Sequence, residues 1–217
     1  MSKILSKKVL ITAGPTREPI DPVRFISNYS SGKMGIALAE NAVSRGAEVI
    51  LILGPTDLRP QSKNIKVVAV QTAHEMYEAV AQYFKESDVI IFAAAVADYT
   101  PKNPAVNKIK KNENEFVLEL IKTKDIAFEM GKIKTPQQTT IGFALETEAE
   151  VEHAAGKLEK KNLDFIVLNS LRDAGAGFQF DTNKISIIDK SGNVIKFDLK
   201  PKDETASDIL NYLEQTF

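Results

Sequence analysis

The sequence of 217 residues contains no cysteine and only two histidines. Without cysteine, the chain can form neither a disulfide nor a thiolate zinc site, and it has no thiol nucleophile of its own. The two histidines, His74 and His153, are too few and too far apart in sequence to indicate a metal cluster by themselves. These absences exclude disulfide-stabilised, thiolate-zinc and cysteine-nucleophile proteins.

Excess charge and long apolar runs are also lacking. Twenty-eight basic residues stand against 29 acidic ones, so composition gives no reason to expect a nucleic-acid or membrane-surface partner. The longest apolar run, near residues 89–97, is far shorter than the roughly 20 residues of a membrane helix. Residues 1–8 are polar and basic and lack the apolar stretch of a secretion signal. We therefore expect a cytoplasmic protein that binds neither nucleic acid nor membranes.

What is present is a regular alternation of buried strands and amphipathic helices. With 43% hydrophobic residues the chain can bury one sizeable core, and no linker or repeat divides it, so residues 1–217 are expected to form one domain. Near-continuous apolar strands are typical of a sheet covered on both faces. The pattern predicts an α/β fold with a doubly wound, mostly parallel, Rossmann-like sheet. The predicted strands are 9–12, 48–53, 89–92, 140–143 and 165–168, and the predicted helices are 31–45, 72–85, 148–161 and 203–215.

Two local features refine this prediction. Thr72 with Glu75 three residues later has the spacing of a helix-capping box. Ser191-Gly192-Asn193 lies between two short apolar runs and predicts a small β-hairpin extension.

A glycine-bearing turn at residues 11–16 and a second glycine-rich segment at residues 30–35 flank the start of the first helix. Backbone N–H groups at such a helix start suit phosphate. The segment is not a Walker A loop, because Met34 follows Gly32-Lys33, and it is not a G-x-G-x-x-G fingerprint. A capped helix on a surface loop is an equally good interpretation at this point.

Between these segments, residues 18–28 form a long, proline-stiffened connection. Arg24 offers a planar fork for phosphate or carboxylate. Asn28 could cap the first helix or donate to a developing oxyanion, and capping is the commoner role.

Small residues end the third predicted strand at 93–97, and Asp98 follows. They leave room for a ligand at the edge where open α/β sheets bind ligands, or they form a tightly packed corner. Residues 99–114 are polar and irregular and contain the lysine run 108–111, which is either solvated surface or a flexible flap over a polyphosphate. Lys157 and Lys161, four residues apart, share one helix face on which an anion could lie.

The segments that carry these motifs lie in one order along essentially the whole chain, and together they resemble phosphopantothenoylcysteine synthetase. The resemblance rests on residues 14–24, Asn28, 30–35, 93–98, 108–111, 142–147, 160–164, Asn169, Gly177-Phe178, Asp181 and Asn183.

The resemblance implies a ligase that joins 4′-phosphopantothenate to cysteine in coenzyme A biosynthesis. The phosphopantothenate carboxylate attacks the α-phosphorus of CTP with Mg²⁺ present, which releases pyrophosphate and leaves an acyl-cytidylate. The cysteine amine then attacks this mixed anhydride and expels CMP. The enzyme must align anionic partners and neutralise their repulsion, which donors and lysines can do without a nucleophilic side chain.

The resemblance also implies roles for individual residues. Asn28 and Lys108 are catalytic, Lys108 being a flap lysine needed to convert the intermediate. Arg24, Ser30, Ser31 and Gly32 bind the substrate. The implied nucleotide-binding residues, among which Lys124 replaces a proline of the family pattern, are Phe92, Ala93, Ala94, Asp98, Lys108, Lys124, Asp125, Ile126, Ala127, Phe143, Lys157 and Lys161.

Cofactors and partners follow in the same way. Mg²⁺ is expected mainly on the nucleotide phosphates, so no side-chain metal ligand is named. The flavin-dependent decarboxylase half that precedes this unit in many bacteria is absent from the sequence. We therefore predict no FMN, and a separately encoded decarboxylase is a possible partner. The family also implies a homodimer in which one protomer contributes to its neighbour's site.

Two other classes of protein predict different features. A nicotinamide-dependent oxidoreductase predicts a complete glycine fingerprint and an acidic end to the second strand, whereas this strand ends in Leu53-Gly54-Pro55. A non-catalytic nucleotide-binding module predicts that Lys108→Ala changes nothing.

Overall fold

The computed structural model of the protein describes residues 2–110, 115–146, 148–170 and 180–217, with only the backbone of Ser170. Several residues quoted for the resemblance lie outside the described residues: Lys111, Thr147, Gly177 and Phe178. Residues 112–114, the end of the predicted irregular stretch, lie outside them too.

Within the described residues the chain alternates strands and helices as follows. The strands are β1 Lys8–Ala13, β2 Arg17–Pro19, β3 Phe25–Ser27, β4 Glu48–Leu53, β5 Ile65–Ala69, β6 Val89–Phe92, β7 Tyr99–Pro101, β8 Leu120–Lys122, β9 Thr139–Glu146, β10 Phe165–Ser170, β11 Thr182–Asn183, β12 Ile185–Asp189, β13 Val194–Lys196 and β14 Lys200–Pro201. The helices are α1 Lys33–Ser44, α2 Ala73–Phe84, α3 Ile126–Ile133, α4 Glu150–Lys160 and α5 Lys202–Gln215.

The central sheet confirms the predicted doubly wound, mostly parallel fold. Its strand order across the described residues is β13-β12-β10-β9-β6-β1-β4-β5. The pairings from β10 to β5 are parallel, and β12 and β13 add the antiparallel hairpin extension. The turn of this hairpin contains Gly192 at φ 81°, a backbone conformation that glycine adopts most readily.

Both faces of the sheet are buried because side chains alternate along each strand. Ile11 of β1 packs with α1 and α5, whereas its neighbour Leu10 packs with α2 and α3 on the other face. α4 packs beside them through Leu158 against Ile166 of β10. Each fully buried leucine or isoleucine contributes about 1.5–3 kcal/mol relative to exposure. This two-sided burial explains the apolar strands seen in the sequence.

The capping prediction at α2 is confirmed in part. The Thr72 hydroxyl accepts a hydrogen bond from the Glu75 N–H at 3.1 Å. The Glu75 carboxylate, however, accepts from the Gln71 N–H at 2.7 Å rather than from the N–H of Thr72. Two N–H groups at the helix entrance are still satisfied, as in a capping box.

Several short elements had no prediction. β5 is an edge strand whose side chains are mostly exposed, so it lacks the apolar run that marks the buried strands. The three-residue strands of the β2–β3 and β7–β8 ribbons are too short to show a period. α3 begins at Ile126, inside the segment that was expected only to bind nucleotide. Among the described residues, no helix combines the length and apolarity needed to cross a lipid bilayer.

Candidate functional site

A cavity of about 730 Å³ opens at the carboxyl ends of the parallel strands. Thr12 at the end of β1, Phe92 at the end of β6 and Gly142 in β9 line its floor. In parallel α/β sheets this edge carries the ligand site, because backbone groups and loops converge there. Fifteen of the 17 predicted site residues line this one cavity: Asn28, Ser30, Ser31, Gly32, Phe92, Ala93, Ala94, Asp98, Lys124, Asp125, Ile126, Ala127, Phe143, Lys157 and Lys161.

The start of α1 forms one wall. Gly32 is the residue before the helix, at φ 81°, and no side chain caps the helix. A Cβ on Gly35 would lie 2.4 Å from the Ala13 Cβ, so only glycine lets α1 approach β1 this closely. The residues at the start of α1 line the cavity, and the partial positive charge of the helix start therefore faces it.

Asn28 does not cap α1, contrary to one of its two predicted roles. Its side-chain Nδ2 donates to the carbonyl oxygens of Ala95 at 3.2 Å and Val96 at 3.1 Å. The residue thereby links the connection before α1 to the segment after β6. The cap position is taken by Gly32, because its left-handed φ turns the chain into the helix.

Hydroxyl groups hold the segment after β6 against its neighbours. The Thr12 Oγ1 accepts from the Ala94 N–H at 3.2 Å, and the Thr16 Oγ1 accepts from the Ala97 N–H at 3.0 Å. The Thr123 hydroxyl donates to the Ala97 oxygen at 2.6 Å. These hydrogen bonds hold the segment after β6 in place, and its small side chains leave the cavity open. The exposed Asp98 lies at the cavity wall. The open-crevice interpretation of this segment is therefore the correct one.

The start of α3 forms the opposite wall. The Asp125 side chain caps the helix by accepting from the Phe128 N–H at 3.1 Å. It also pairs with Lys161 at 3.0 Å, which ties α3 to the end of α4. Lys124, where the family pattern has a proline, lies over the Tyr77 ring at 4.2 Å.

Positive charge dominates the described lining of the cavity. Seven lysines face two aspartates: Lys33, Lys122, Lys124, Lys157, Lys160, Lys161 and Lys202, against Asp98 and Asp125. The Lys157 Nζ lies 2.5 Å from a carboxylate oxygen of Glu146, whose side chain is largely buried at the end of β9. Such a lining attracts a polyphosphate and repels cationic ligands.

Lys202 is the lining residue that sequence reasoning missed most clearly. It starts α5, is buried, and donates to the Phe180 oxygen. Burial lowers the pKa of Lys202, and the nearby Lys33 lowers it further, while Asp181 opposes the shift. A lysine beside a proline in a polar stretch gives no sequence signal, so only the fold reveals its position.

Asn169, at the end of β10, also lines the cavity. Its side-chain Oδ1 is buried without a hydrogen-bond partner among the described residues. A buried, unsatisfied oxygen is costly, and a ligand donor would relieve that cost. Asn183 lies nearby in the lining, with its Nδ2 3.5 Å from the Met34 sulfur. Both asparagines belong to the family resemblance, but neither had been assigned a role.

Two predicted site residues, Arg24 and Lys108, lie outside the cavity lining. Arg24 pairs with Asp21 in the connection between β2 and β3. Lys108 is exposed on the segment that follows β7. The structure therefore separates these two side chains from the 15 that it brings together.

No cluster of three or more histidine, aspartate or glutamate side chains occurs in the part of the chain that the structure describes. A cage built only from protein ligands is therefore not available there. Mg²⁺ commonly uses one or two carboxylates together with substrate phosphates. Asp98, exposed at the cavity wall, is a carboxylate suited to that shared arrangement.

A mostly parallel sheet with a lysine-rich cavity at the ends of its strands defines a Rossmann-like α/β protein of the kind that binds anionic ligands at this edge. Residues 4–217 match the family model described as the DNA/pantothenate metabolism flavoprotein C-terminal domain. The chain belongs to this family, which confirms the resemblance found in the sequence.

Individual relatives agree with this assignment. The chain is similar to the coenzyme A biosynthesis bifunctional protein CoaBC of Bacillus subtilis (strain 168), at 47% identity over 94% of this chain and 50% of that protein. It is 58% identical to a protein named cysteine/cysteine sulfinic acid decarboxylase from an unknown prokaryotic organism, over 94% of this chain and 57% of that protein. It therefore spans about half the length of these curated relatives.

Among solved structures, the fold resembles the C-terminal domain of coenzyme A biosynthesis bifunctional protein CoaBC. The TM-score is 0.84 at 46% sequence identity, and the match covers 99% of this chain and 98% of that chain.

Proposed function

We propose that the chain is a ligase domain that condenses 4′-phosphopantothenate with cysteine through an acyl-cytidylate intermediate. One observation carries the proposal: apart from Lys108, the residues that the family resemblance assigns to carboxylate activation and to nucleotide binding line a single lysine-rich cavity. The similarity to the C-terminal domain of CoaBC, along nearly the whole of both chains, supports the same reaction.

The first half-reaction joins two anions. A phosphopantothenate carboxylate oxygen forms a bond to the α-phosphorus of CTP, and the bond from that phosphorus to the leaving pyrophosphate breaks. Lys157 and Lys161 neutralise the phosphates from one side, and the start of α1 faces them from the other. Asp98, exposed at the cavity wall, could hold Mg²⁺ together with the nucleotide phosphates, and the ion would then reduce the charge on the leaving group.

Asn28 is proposed to orient the reacting carboxylate. In the structure its Nδ2 hydrogens point to the carbonyls of Ala95 and Val96. To donate to a substrate oxygen, the amide must give up one of these two bonds. The exchange replaces a hydrogen bond to a neutral carbonyl by a charge-assisted bond to the carboxylate, which aligns the attacking oxygen with the α-phosphorus.

The second half-reaction transfers the acyl group. The cysteine amine attacks the acyl carbon, the bond from that carbon to the cytidylate oxygen breaks, and CMP leaves while the amine loses a proton. Lys108 is proposed to act in this step, since a lysine can neutralise the departing CMP. No side-chain nucleophile is needed, in agreement with a chain that has no cysteine.

We further propose that the protein works as a homodimer. The β2–β3 and β7–β8 ribbons, which pack together, expose apolar side chains on a common part of the surface. Clustered exposed apolar groups mark association surfaces. The exposed apolar residues on these ribbons and the chain beside them are Val23, Phe25, Val106, Phe116, Val117, Leu120 and Ile121.

The same surface carries Arg24 and Lys108, the two predicted site residues outside the cavity. The Arg24 guanidinium lies over the Phe116 ring at 5.9 Å, and the Lys108 segment bonds to the Arg24 turn. Association through the ribbons could bring these cations to the partner's cavity. This placement supports the family expectation that one protomer completes its neighbour's site.

The remaining expectations are proposals as well. The family description contains the word flavoprotein, and one relative is named a decarboxylase. We propose that this chain neither binds FMN nor decarboxylates, because the lysine-rich lining of its cavity suits a triphosphate. We also propose a cytoplasmic site of action and a decarboxylase acting as a separate partner.

The central test is an assay with CTP, Mg²⁺, phosphopantothenate and cysteine. The proposal expects pyrophosphate, CMP and the cysteine amide, and without cysteine it expects only pyrophosphate, up to about one equivalent per active site. ATP in place of CTP tests the base preference. Cysteine alone, monitored for carbon dioxide, tests the decarboxylase alternative. Absence of pyrophosphate release with both nucleotides would overturn the proposal.

The dimer proposal is tested by mixing two variants, Arg24→Ala outside the cavity and Asn28→Ala in its lining, each expected to be nearly inactive alone. If Arg24 acts in the neighbour's site, random mixing gives one intact site in each mixed dimer and restores about a quarter of the wild-type activity. An inactive mixture, with subunit exchange verified, would show that both residues serve the same protomer's site.

A further inference from the structure

The connection between β2 and β3 contains a carboxylate, that of Asp21, whose side chain is fully buried. One of its oxygens accepts from the backbone N–H groups of Val23 and Arg24, each at 2.9 Å. The other accepts from the Arg24 guanidinium, with Nε at 3.0 Å. The Arg24 guanidinium, helped by the surrounding backbone N–H groups against the effect of burial, holds the pKa of Asp21 far below its usual range.

This carboxylate has one more donor, which comes from a distant part of the chain. The Ile109 N–H donates to the Asp21 Oδ2 at 3.1 Å. The Ile109 oxygen in turn accepts from the Arg24 guanidinium at 3.1 Å. Both backbone groups of Ile109 are therefore bound by the Asp21–Arg24 pair.

A second hydrogen bond attaches the chain to the same turn, four residues before Ile109. The Ala105 N–H donates to the Ile20 oxygen at 2.8 Å, next to Asp21. Residues 105–109 thus form an arch that is attached at both ends to the same turn. Lys108 lies on this arch beside its second attachment, and its side chain is exposed.

We infer that Asp21 is a positioning residue for Lys108, because it attaches to its own turn the arch on which the lysine lies. The inference rests on the proposed function, in which Lys108 takes part in transfer of the acyl group to cysteine. Because the backbone of Ile109 is fixed, the amine of the preceding Lys108 can reach fewer positions. This restriction favours alignment of the amine with the reacting groups. Asp21 touches neither substrate nor nucleotide in this account, because its side chain is fully buried.

Asp21→Asn tests this role because it keeps the side-chain shape while removing the charge and replacing an acceptor with a donor. The matched control is Asp189→Asn. Asp189 also holds a turn, accepting from the Ser191 and Asn193 N–H groups at 2.8 and 3.0 Å, but it lies on the hairpin at the far edge of the sheet.

Two readouts separate positioning from general stability. Hydrogen exchange at the Ile109 amide should accelerate in Asp21→Asn and stay unchanged in Asp189→Asn. In single-turnover experiments, Asp21→Asn should release the same amount of pyrophosphate without cysteine as the parent. Transfer to cysteine should be slower by about tenfold. This is less than the roughly 10²-fold that a 1 Å misplacement of a reacting group can cost, because the attachment at Ala105 remains.

A double-mutant cycle with Lys108→Ala shows whether the two residues act together. If Asp21 acts through Lys108, the double variant should transfer no more slowly than Lys108→Ala alone. Additive losses, or unchanged exchange at Ile109, would overturn the inference.

A wild type without pyrophosphate release would contradict the proposed reaction. The hydrogen-exchange experiment would still decide whether the arch is attached to the Asp21 turn.

A second variant, Ala105→Pro, keeps the test available if Asp21→Asn fails to fold. It removes the N–H that donates to the Ile20 oxygen and leaves the Asp21 carboxylate intact. The inference expects normal pyrophosphate release with slower transfer, and transfer at the wild-type rate would contradict it.

Discussion

The crevice at the strand ends and the arch at residues 105–109 are built in different ways. Regular elements form the crevice, so the positions of Phe92, Gly142 and the start of α1 follow from the parallel register of the sheet. A few specific hydrogen bonds hold the arch, chiefly those to Asp21 and Ile20. If the proposed reaction is correct, we expect activation by the nucleotide to depend on the fold as a whole, and transfer to cysteine to depend on a local attachment.

The largest expected effect tests the crevice. Asn28→Ala should lower the rate of pyrophosphate release by about 10²-fold, because misplacing a reacting group by about 1 Å can cost this much. Stability should change little because the side chain is exposed. Asn64→Ala, at another exposed asparagine outside the cavity, is the control. Pre-steady-state pyrophosphate measurements decide the matter, and a normal burst in Asn28→Ala would remove this residue from the first step.

The fold dependence of the crevice is tested by a pair of glycine substitutions. Gly35→Ala places a Cβ 2.4 Å from the Ala13 Cβ and should destabilise the protein by about 1–3 kcal/mol. Gly156→Ala in α4 has no atom within 4 Å of its new Cβ and should stabilise by about 0.5–1 kcal/mol. Urea unfolding measures both. Equal stabilities for the two variants would mean that the close contact of α1 with β1 does not support the crevice.

A smaller effect distinguishes binding from positioning. Lys157→Gln should raise the KM for CTP about tenfold, about 1.4 kcal/mol, with kcat changed less, because a phosphate loses a cationic partner in ground and transition states alike. Lys132→Gln, at an exposed lysine outside the cavity, should match the parent. Steady-state kinetics over a range of CTP concentrations provides the measurement, and an unchanged KM would exclude a direct phosphate contact.

The smallest expected effect concerns the contribution of Asp21 to the stability of the protein at acid pH. Because the pKa of Asp21 is far lower in the folded than in the unfolded chain, its carboxylate contributes stability that is fully present above the usual aspartate value of 3.8. That contribution is lost progressively as the pH falls below this value. Asp21→Asn should therefore show a flatter acid limb in a plot of unfolding free energy against pH. Parallel limbs in parent and variant would contradict the role of this carboxylate.

The sequence predicts the crevice well and the arch poorly for a physical reason. Apolar runs such as that of β6 identify strands, and the rule that parallel strands end at one edge brings their following residues together. No comparable rule connects Asp21 with Ile109, which are 88 positions apart in the sequence. The flexible flap, expected from composition and from the family resemblance, stays a prediction.

The same reasoning explains the smaller differences. The two roles left open for Asn28, capping the first helix and donating to an oxyanion, could not be separated, because both use the same residue type at the same place in the chain. Lys202 needed the packing of α5 against α1 before its position in the cavity became evident. Long-range contacts of single side chains leave no periodic trace in a sequence.

Hydrogen exchange in the presence of CTP and Mg²⁺, without the other substrates, tests the division between crevice and arch most directly. The account predicts protection at residues 30–35, 92–98 and 124–127, with no change at residues 105–109. Protection of the arch by nucleotide alone, with an unaffected crevice, would contradict it.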